Sequence, residues 1–331
     1  MKALQVLQPR TFAQIEIPQP QLDASVSGQI LVQSTWFSMC GSDIPFFSGG
    51  KRFKKHPRYD NYPLAWGMPI HECVGQVVES TSARFVPGDW VVAIPEKDQG
   101  LAEFFTAQDS KAVQLPGEVE NKAACCLIQP LSTVINAVDR LGDVTGKSVA
   151  VIGLGSIGLF FSWLLKKRGA GPIVGVDPIA ERCAVVEKLG GARTYAMRSI
   201  ELIHLARQNP DQWDPTEILV EAVGHQMDTI NDGFELIQKQ GTLLAFGVPD
   251  QPAYTIEYET FFRKNLNLVA VVTPDWQTYL ERARDLFLEF QDELAPLVTH
   301  HFAMREADKA FEMYETHADG IIKAIIDATQ W

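Results

Sequence analysis

With 331 residues the chain exceeds the size that one hydrophobic core usually supports, so two cores, or one core with an inserted partner, are expected. Its 29 basic and 41 acidic residues give a formal net charge of −12, which argues against nucleic acid or an anionic membrane as the main partner. The five cysteines, Cys40, Cys73, Cys125, Cys126 and Cys183, are sparse and odd in number, which does not suit a disulfide framework. Reduced thiols, and a first segment without a charged stretch followed by an apolar run, suit the cytoplasm.

The first part of the chain reads as short strands. Residues 2–7, 29–37, 72–79 and 90–94 are apolar or alternating and are separated by Pro, Gly, Ser and Asp. From about Gly146 the pattern changes to strands alternating with helices. VAVIG at 149–153, IVGVD at 173–177, EILVEAVG at 217–224, TLLAFGV at 242–248 and LNLVAVV at 266–272 read as strands. Helical stretches over 181–189, 200–207 and 227–238 lie between them, and the shorter RTYA at 193–196 makes a sixth strand. Six strands in this alternation predict an α/β, doubly wound dinucleotide-binding fold. Residues 149–165 are apolar enough to suggest a membrane span, but glycines and serines interrupt them, so a buried strand and helix explain them better. Beyond Thr273-Pro274 the chain turns helical over 276–290 and 305–317 and ends in a strand-like IIKAIID at 321–327. The return of this tail to the first lobe would make that lobe discontinuous.

Gly153-Leu154-Gly155-Ser156-Ile157-Gly158 directly follows the first strand of the alternating block and opens a helical stretch. In that context the first glycine permits a tight turn, the second lets a pyrophosphate approach the backbone, and the third lets helix and strand pack closely. The phosphates would lie on the helix amino terminus, where unpaired N–H groups and the dipole favour anions. Asp177 ends the next strand about 20 positions past Gly158, where a carboxylate accepts hydrogen bonds from the ribose of NAD and repels the 2′-phosphate of NADP. The plainer job for Asp177 is to cap the helix that starts after Pro178. Arg182, one turn on, would tolerate a phosphate, or else packs against the adenosine or the surface.

Upstream, Cys40-Gly41-Ser42-Asp43 and His71-Glu72 offer a thiolate, an imidazole and a carboxylate, all ordinary zinc donors. Taken alone, the spacing favours a buried thiol and a satisfied core histidine. With the glycine-rich turn on the same chain, it points to a metal beside a dinucleotide.

These residues resemble the zinc-containing medium-chain dehydrogenase/reductase family, which includes alcohol, sorbitol and threonine dehydrogenases. The resemblance spans nearly the whole chain and rests on CGSD at 40–43, HECVGQVV at 71–78, VPGDWVV at 86–92, LIQPLST at 127–133, VIGLGSIG at 151–158 and FGVP at 246–249. It implies a GroES-like β-rich catalytic domain interrupted by a six-stranded Rossmann domain. Residues 1–130 would form the first part of the catalytic domain, 131–271 the NAD-binding domain, and 272–331 the return segment. It also implies Cys40 and His71 as the first two zinc ligands, and Glu72 as a neighbouring carboxylate that ligates zinc in some members. Asp43 would orient the ligand histidine, Ser42 would take the substrate proton, and Val248 would lie beside the nicotinamide. The implied activity is NAD(P)-dependent interconversion of a secondary alcohol or polyol and a carbonyl compound.

The chain departs from the family pattern in four places. The third ligand position carries Gln129, a weaker donor than the Cys, Asp or Glu found in the family. Either Glu72 completes the set, Gln129 binds weakly or through water, or zinc is absent; Cys126, near one helical turn before Gln129, is a further substitute, though a structural role suits it better. After the GDWV turn, residues 95–100 pass straight to LAEFF at 101–105 with no cysteine in place of the family's four-cysteine lobe, so no structural zinc is expected. Pro45 replaces a frequent relay histidine, and Ile70 a usual glycine. A basic run, Lys51, Arg52, Lys54, Lys55 and Arg58, would recruit an anionic substrate if it faced the site, but charge runs are usually solvated surface. Phe46, Phe47 and Trp66 would line an apolar pocket or fill the core. Alternative readings are a zinc-free reductase of the same fold and an NAD(H)-binding protein of reduced activity. The apolar strand at 266–272 would be a sheet edge covered by a second copy, giving a homodimer or homotetramer.

Overall fold

Strand β1 (Lys2–Gln8) and strand β2 (Thr11–Glu16) open the chain as an antiparallel hairpin. The computed structural model describes residues 1–49, 62–191 and 193–331. After the hairpin come β3 (Gln29–Ser38), helix α1 (Ile44–Ser48), β4 (Glu72–Ser80), β5 (Trp90–Ala93), β6 (Phe104–Gln108) and β7 (Ala112–Gln114). Helix α2 (Ile128–Leu141) carries the chain from one structural unit into the next, since Met1–Ser132 belongs to the first and Thr133–Thr273 to the second.

The second unit holds β8 (Val149–Ile152), α3 (Ser156–Lys167), β9 (Ile173–Val176), α4 (Ala180–Lys188), β10 (Arg193–Tyr195), α5 (Ser199–Gln208), β11 (Thr216–Glu221), α6 (Asp228–Leu236), β12 (Ile237–Ala245), α7 (Tyr258–Arg263) and β13 (Asn267–Ala270). Its six strands are all parallel, in the order β10-β9-β8-β11-β12-β13. Parallel strands are covered on both faces, which is why β8 is an unbroken apolar run with every residue buried. The strand order reverses between β8 and β11, and ligands of such sheets bind at the carboxyl ends of strands at that switch point. Leu202, Leu219, Phe234 and Leu243 are among the residues that fill the core around the sheet.

Pro274–Trp331 returns to the first unit, as α8 (Trp276–Glu289), α9 (Gln291–Leu294), β14 (Val298–Ala303), α10 (Ala307–Thr316) and β15 (Lys323–Asp327). β15 lies antiparallel to β3 and parallel to β14. The resulting sheet runs β14-β15-β3-β4-β5-β7, with β6 also pairing with β3. Phe47 stacks on Phe12 and touches Phe311 of α10, with ring centroids 5.2 and 5.0 Å away. Both segments of the chain thus share one aromatic core, and truncating a fully buried ring there costs about 3–5 kcal/mol. Phe47 fills that core.

Several element bounds differ from the sequence reading for identifiable reasons. β11 stops at Glu221 because that carboxylate accepts the N–H groups of Val223 and Gly224, each at 3.0 Å, and turns the chain. α6 ends at Leu236, where the Lys264 ammonium donates to the carbonyls of Phe234, Glu235 and Ile237. β2, β6, β7 and β14 are short and mixed in polarity, so no clear alternation marked them. Among the described residues no helix is long and apolar enough to cross a membrane.

Candidate active site

Antiparallel pairing of β3 and β4 sets Ser38 directly opposite Glu72. Cys40, just past the end of β3, and His71, just before β4, are therefore brought together by register. The ligand atoms of Cys40, His71 and Glu72 lie within 4.8 Å of one another. Cys40 opens a tight turn over Gly41–Asp43 that runs into α1, with Pro45 in its first turn. Asp43 clamps this turn, since its Oδ2 accepts the Cys40 N–H at 2.8 Å while its own N–H donates to the Cys40 carbonyl at 3.0 Å. The other Asp43 oxygen is 3.0 Å from Nδ1 of His71. A carboxylate on Nδ1 fixes the tautomer that leaves Nε2 free to act as a ligand.

Burial opposes charge on His71, but the Asp43 carboxylate, and after it the Cys40 thiol, hold the ring's pKa well above its ordinary value. Burial in turn pushes Asp43 up, against the pull of His71 and of the Cys40 N–H. Ser42 sits half-buried on the turn between Cys40 and Asp43. Gln129 is buried on the first turn of α2, and the turn preceding it, Ala123–Leu127, packs on β3, β4 and β15. Burial, followed by the charge of Glu72, pushes the Cys126 thiol well up, which suits a structural role. Ile70 is buried, and its carbonyl accepts the Gly100 N–H.

Two residues beneath this cluster were not singled out from the sequence. The Lys323 ammonium is 2.8 Å from Oε1 and 2.5 Å from Oε2 of Glu72, and Ser38 donates its hydroxyl to Oε2. All three are fully buried. Burial opposes the charge on Lys323, but Glu72, with smaller contributions from Tyr314 and Cys40, raises its pKa overall. Removing one partner of such a pair costs about 3–5 kcal/mol, because it strands the other charge. The sequence signal was a lone lysine inside the apolar run of β15, which requires a buried counter-charge.

In the second unit, the turn after β8 meets the steric demands of its glycines. Gly153 has φ +88°, and a Cβ on Gly158 would stand 1.8 Å from the Gly153 carbonyl oxygen. A Cβ on Gly155 would meet nothing within 4 Å. Gly155 is also the N-cap of α3 and supplies no side-chain cap, so the first-turn N–H groups, beginning at Ser156 and Ile157, suit an anion. Asp177, buried at the end of β9, accepts the Leu154 N–H at 2.7 Å and the Ile179 N–H at 2.8 Å, and Arg182 lies 3.6 Å away. It ties the glycine turn to the next strand and closes the turn that leads into α4, whose N-cap is Ile179 and has no side-chain cap. Val248 is 41% exposed, as is Val223 at 38%, and the Val248 carbonyl accepts the His225 N–H at 2.7 Å. Glu221, Val223 and His225 at this end of the sheet were not recognised from the sequence. The basic residues Lys51, Arg52, Lys54, Lys55 and Arg58 lie outside the described residues.

Residues 26–121 match the alcohol dehydrogenase GroES-like domain, and residues 123–328 match the glucose dehydrogenase C-terminus. A sorbitol dehydrogenase from Halalkalibacterium halodurans is 24% identical, covering 94% of this chain and 95% of its own length. The alcohol dehydrogenase TADH from Thermus sp. ATN1 has a solved structure similar at a TM-score of 0.82 with 21% identity, covering 99% of both chains. A dehydrogenase from Sinorhizobium meliloti 1021, solved with bound NADP, is similar at a TM-score of 0.80 with 19% identity over 98% of both chains. These structural likenesses concern the fold, whereas the domain match over 123–328 takes in more than half the chain. The chain belongs to the zinc-type medium-chain dehydrogenase/reductase family and is an alcohol-dehydrogenase-like oxidoreductase.

Proposed function

We propose that the chain interconverts a secondary alcohol or polyol and its carbonyl compound, with a nicotinamide dinucleotide as hydride carrier and zinc held by Cys40 and His71. The observation that carries this reading is the convergence of Cys40, His71 and Glu72 within 4.8 Å. The donor set fits: thiolate, imidazole and carboxylate are normal zinc donors, and Asp43 already orients the imidazole. The third place falls to Glu72 or Gln129. When bound, zinc supplies Lewis-acid polarisation of the substrate oxygen, and the nicotinamide accepts or returns the hydride. Ser42 receives the alcohol proton and passes its own towards solvent, while the carbon-bound hydrogen leaves as hydride with two electrons. Asp43 and the β3–β4 register hold Cys40 and His71 in place through the reaction.

The first-turn N–H groups of α3, with Ser156 and Ile157, bind the pyrophosphate. Gly155 leaves room for it. Asp177 favours NAD over NADP by accepting from the ribose; Arg182 and the NADP-bound relative make NADP the second choice. Val248 packs beside the nicotinamide. The protein works in the cytoplasm, in keeping with free thiols at all five cysteines, and assembles as a homodimer or homotetramer through β13. A zinc-free reductase is the second reading, favoured by the neutral Gln129 and by the engagement of Glu72 with Lys323.

Elemental analysis of the purified protein and of Gln129→Glu, with turnover measured on a panel of secondary alcohols and polyols, tests the proposal. Zinc in wild type, or stronger retention in Gln129→Glu, together with NAD reduction, is expected. Absence of zinc from both proteins sinks the metal mechanism. Stoichiometric NAD binding with no turnover on any alcohol sinks the enzymatic reading in favour of a dinucleotide-binding role.

A further inference from the structure

In the second unit, away from the metal cluster, one histidine carries a buried nitrogen without a partner. Nδ1 of His225 is shut off from solvent and has no hydrogen-bond partner among the described residues, although the ring as a whole is only half-buried. A buried ring nitrogen left unpaired is destabilising in either tautomer, as donor or as acceptor. The backbone beneath the ring is also strained. His225 has φ +64°, in the left-handed region that a residue with a side chain rarely adopts, directly after Gly224 at +66°.

The surrounding chain enforces this conformation. A Cβ on Gly224 would stand 2.7 Å from the Val248 nitrogen, and one on Gly247 would stand 2.2 Å from the Gly224 nitrogen, so the turns that follow β11 and β12 interlock through their backbones. The His225 N–H closes the junction by donating to the Val248 carbonyl at 2.7 Å. On the other side Val223 packs on the glycine-rich turn, since a Cβ on Gly153 would stand 2.7 Å from its Cγ2. His225 is thus fixed at the carboxyl ends of β11 and β12, between the exposed Val223 and Val248, in the crevice where a doubly wound sheet takes its ligand. Strain and an unpaired polar atom retained together at such a place are explained by a ligand that supplies the missing partner.

We infer that His225 binds the nicotinamide half of the dinucleotide, its Nδ1 pairing with a polar group of that nucleoside, a ribose hydroxyl or the carboxamide. Each half of a doubly wound sheet serves one mononucleotide. With the pyrophosphate on α3 and the adenosine ribose at Asp177, at the end of β9, the second half, β11 to β13, is left for the nicotinamide. The torsion about the Cβ–Cγ bond of a histidine is broad, so rotation of the half-buried ring carries Nδ1 from its buried position towards the ligand. The inference rests on the dinucleotide reading given above and is independent of the metal.

The test titrates NADH and ADP by calorimetry into wild type, His225→Gly and His225→Asn, with urea unfolding of each protein. Glycine accepts the positive φ and removes the ring, so His225→Gly should unfold at a urea concentration no lower than wild type. It should nevertheless bind NADH about tenfold or more weakly, the worth of one buried hydrogen bond. Its affinity for ADP, which lacks the nicotinamide half, should stay within about threefold of wild type. Asparagine tolerates the left-handed backbone and offers a polar group near the place of Nδ1, so His225→Asn should recover most of the NADH affinity. Nitrogen NMR of the wild-type histidine rings, with the His225 signals assigned by their loss in His225→Asn, adds a readout on the unaltered protein. The Nδ1 resonance should move on saturation with NADH and stay in place with ADP, which decides the matter even if His225→Gly fails to fold. Unchanged NADH affinity in folded His225→Gly, an equal loss for ADP, or an unmoved Nδ1 resonance overturns the role of His225 while leaving the dinucleotide reading intact. A wild type that does not bind NADH overturns both.

Discussion

Asp43 holds two potential metal donors with one carboxylate: one oxygen lies 3.0 Å from Nδ1 of His71, and the other accepts the N–H of Cys40 at 2.8 Å. The ring and the turn that presents the thiol are therefore oriented by the same group. Asp43→Asn should weaken zinc binding by about 10–100-fold, the usual cost of losing a partner behind a ligand histidine. Chelator competition on the folded variant checks this. A loss below about threefold would show that the ring is held in place by other contacts.

The same pair sets a pH dependence. Asp43 and Cys40, working against burial, hold the His71 pKa well above its ordinary value. In the metal-free protein this contribution to stability is fully present below about pH 6.5 and is lost as pH rises through the folded value. Zinc binding has the opposite sign, because the ring must release its proton to coordinate, so affinity climbs with pH up to the folded His71 value. Cys40 also releases a proton, so the diagnostic is the comparison with Asp43→Asn. With the Asp43 carboxylate gone, burial is offset only by Cys40, and the His71 part of the dependence should move to lower pH. Affinities titrated from roughly pH 6 to 9 should show the displacement; superimposable profiles would mean that His71 does not coordinate.

The sequence made the second unit easier to read than the Cys40–His71 cluster of the first, for a physical reason. Parallel strands covered on both faces must be apolar runs, and β8, β9, β11 and the second half of β12 each left such a run between helical stretches. Gly153 and Gly158 were legible because backbone geometry permits little else there: a positive φ at one, a carbonyl 1.8 Å from a Cβ at the other. Cys40 and His71 could be named, but their meeting depends on the register of β3 and β4, which local patterns do not encode. Lys323 went unrecognised because its partner is 251 residues away in sequence. Only the topology that inserts β15 beside β3 brings the two together. Glu221 escaped for the opposite reason: its bonds are local, to Val223, Gly224 and Thr229, and it reads as an ordinary strand residue.

The glycine turn predicts two contrasting variants. Gly158→Ala would drive a methyl to 1.8 Å from the Gly153 carbonyl oxygen, so strand and helix must separate, at a cost of about 3 kcal/mol or more. Gly155→Ala meets open space and should cost about 1 kcal/mol or less in stability. Its methyl would nevertheless occupy the space required by a pyrophosphate, and dinucleotide affinity should fall by about tenfold or more. Urea unfolding and calorimetric titration with NADH separate the two effects. Normal NADH affinity in Gly155→Ala would place the phosphates elsewhere.

β13 ends the parallel sheet and is largely exposed, with Leu268 at 42%. Apolar edge strands invite pairing with another chain, and natural edges that stay single are usually blunted by charge. Light scattering should therefore give a multiple of the 36.8 kDa chain mass. Leu268→Lys should shift the population towards the single chain without unfolding it. A wild-type mass of one chain would end the proposal of a homo-oligomer.

Asp177 serves the protein in two ways, and cofactor discrimination can separate them. Its carboxylate accepts the Leu154 and Ile179 N–H groups, so its removal loosens the turn that would hold the pyrophosphate. That effect weakens NAD and NADP by the same factor, since the two share the pyrophosphate. A ribose role adds a term that differs between them: a hydrogen-bond acceptor is lost for NAD, while repulsion of the 2′-phosphate is relieved for NADP. In Asp177→Ala the ratio of NAD to NADP affinity should thus fall by about tenfold or more, beyond any common weakening. The nearby Arg182 guanidinium, 3.6 Å from the carboxylate in the wild type, should strengthen the shift once it is free to meet the phosphate, and Asp177→Ala/Arg182→Ala should give part of it back. Equal loss for both dinucleotides would make Asp177 a cap and brace of the turn, and the preference for NAD would then have to arise elsewhere in the second unit.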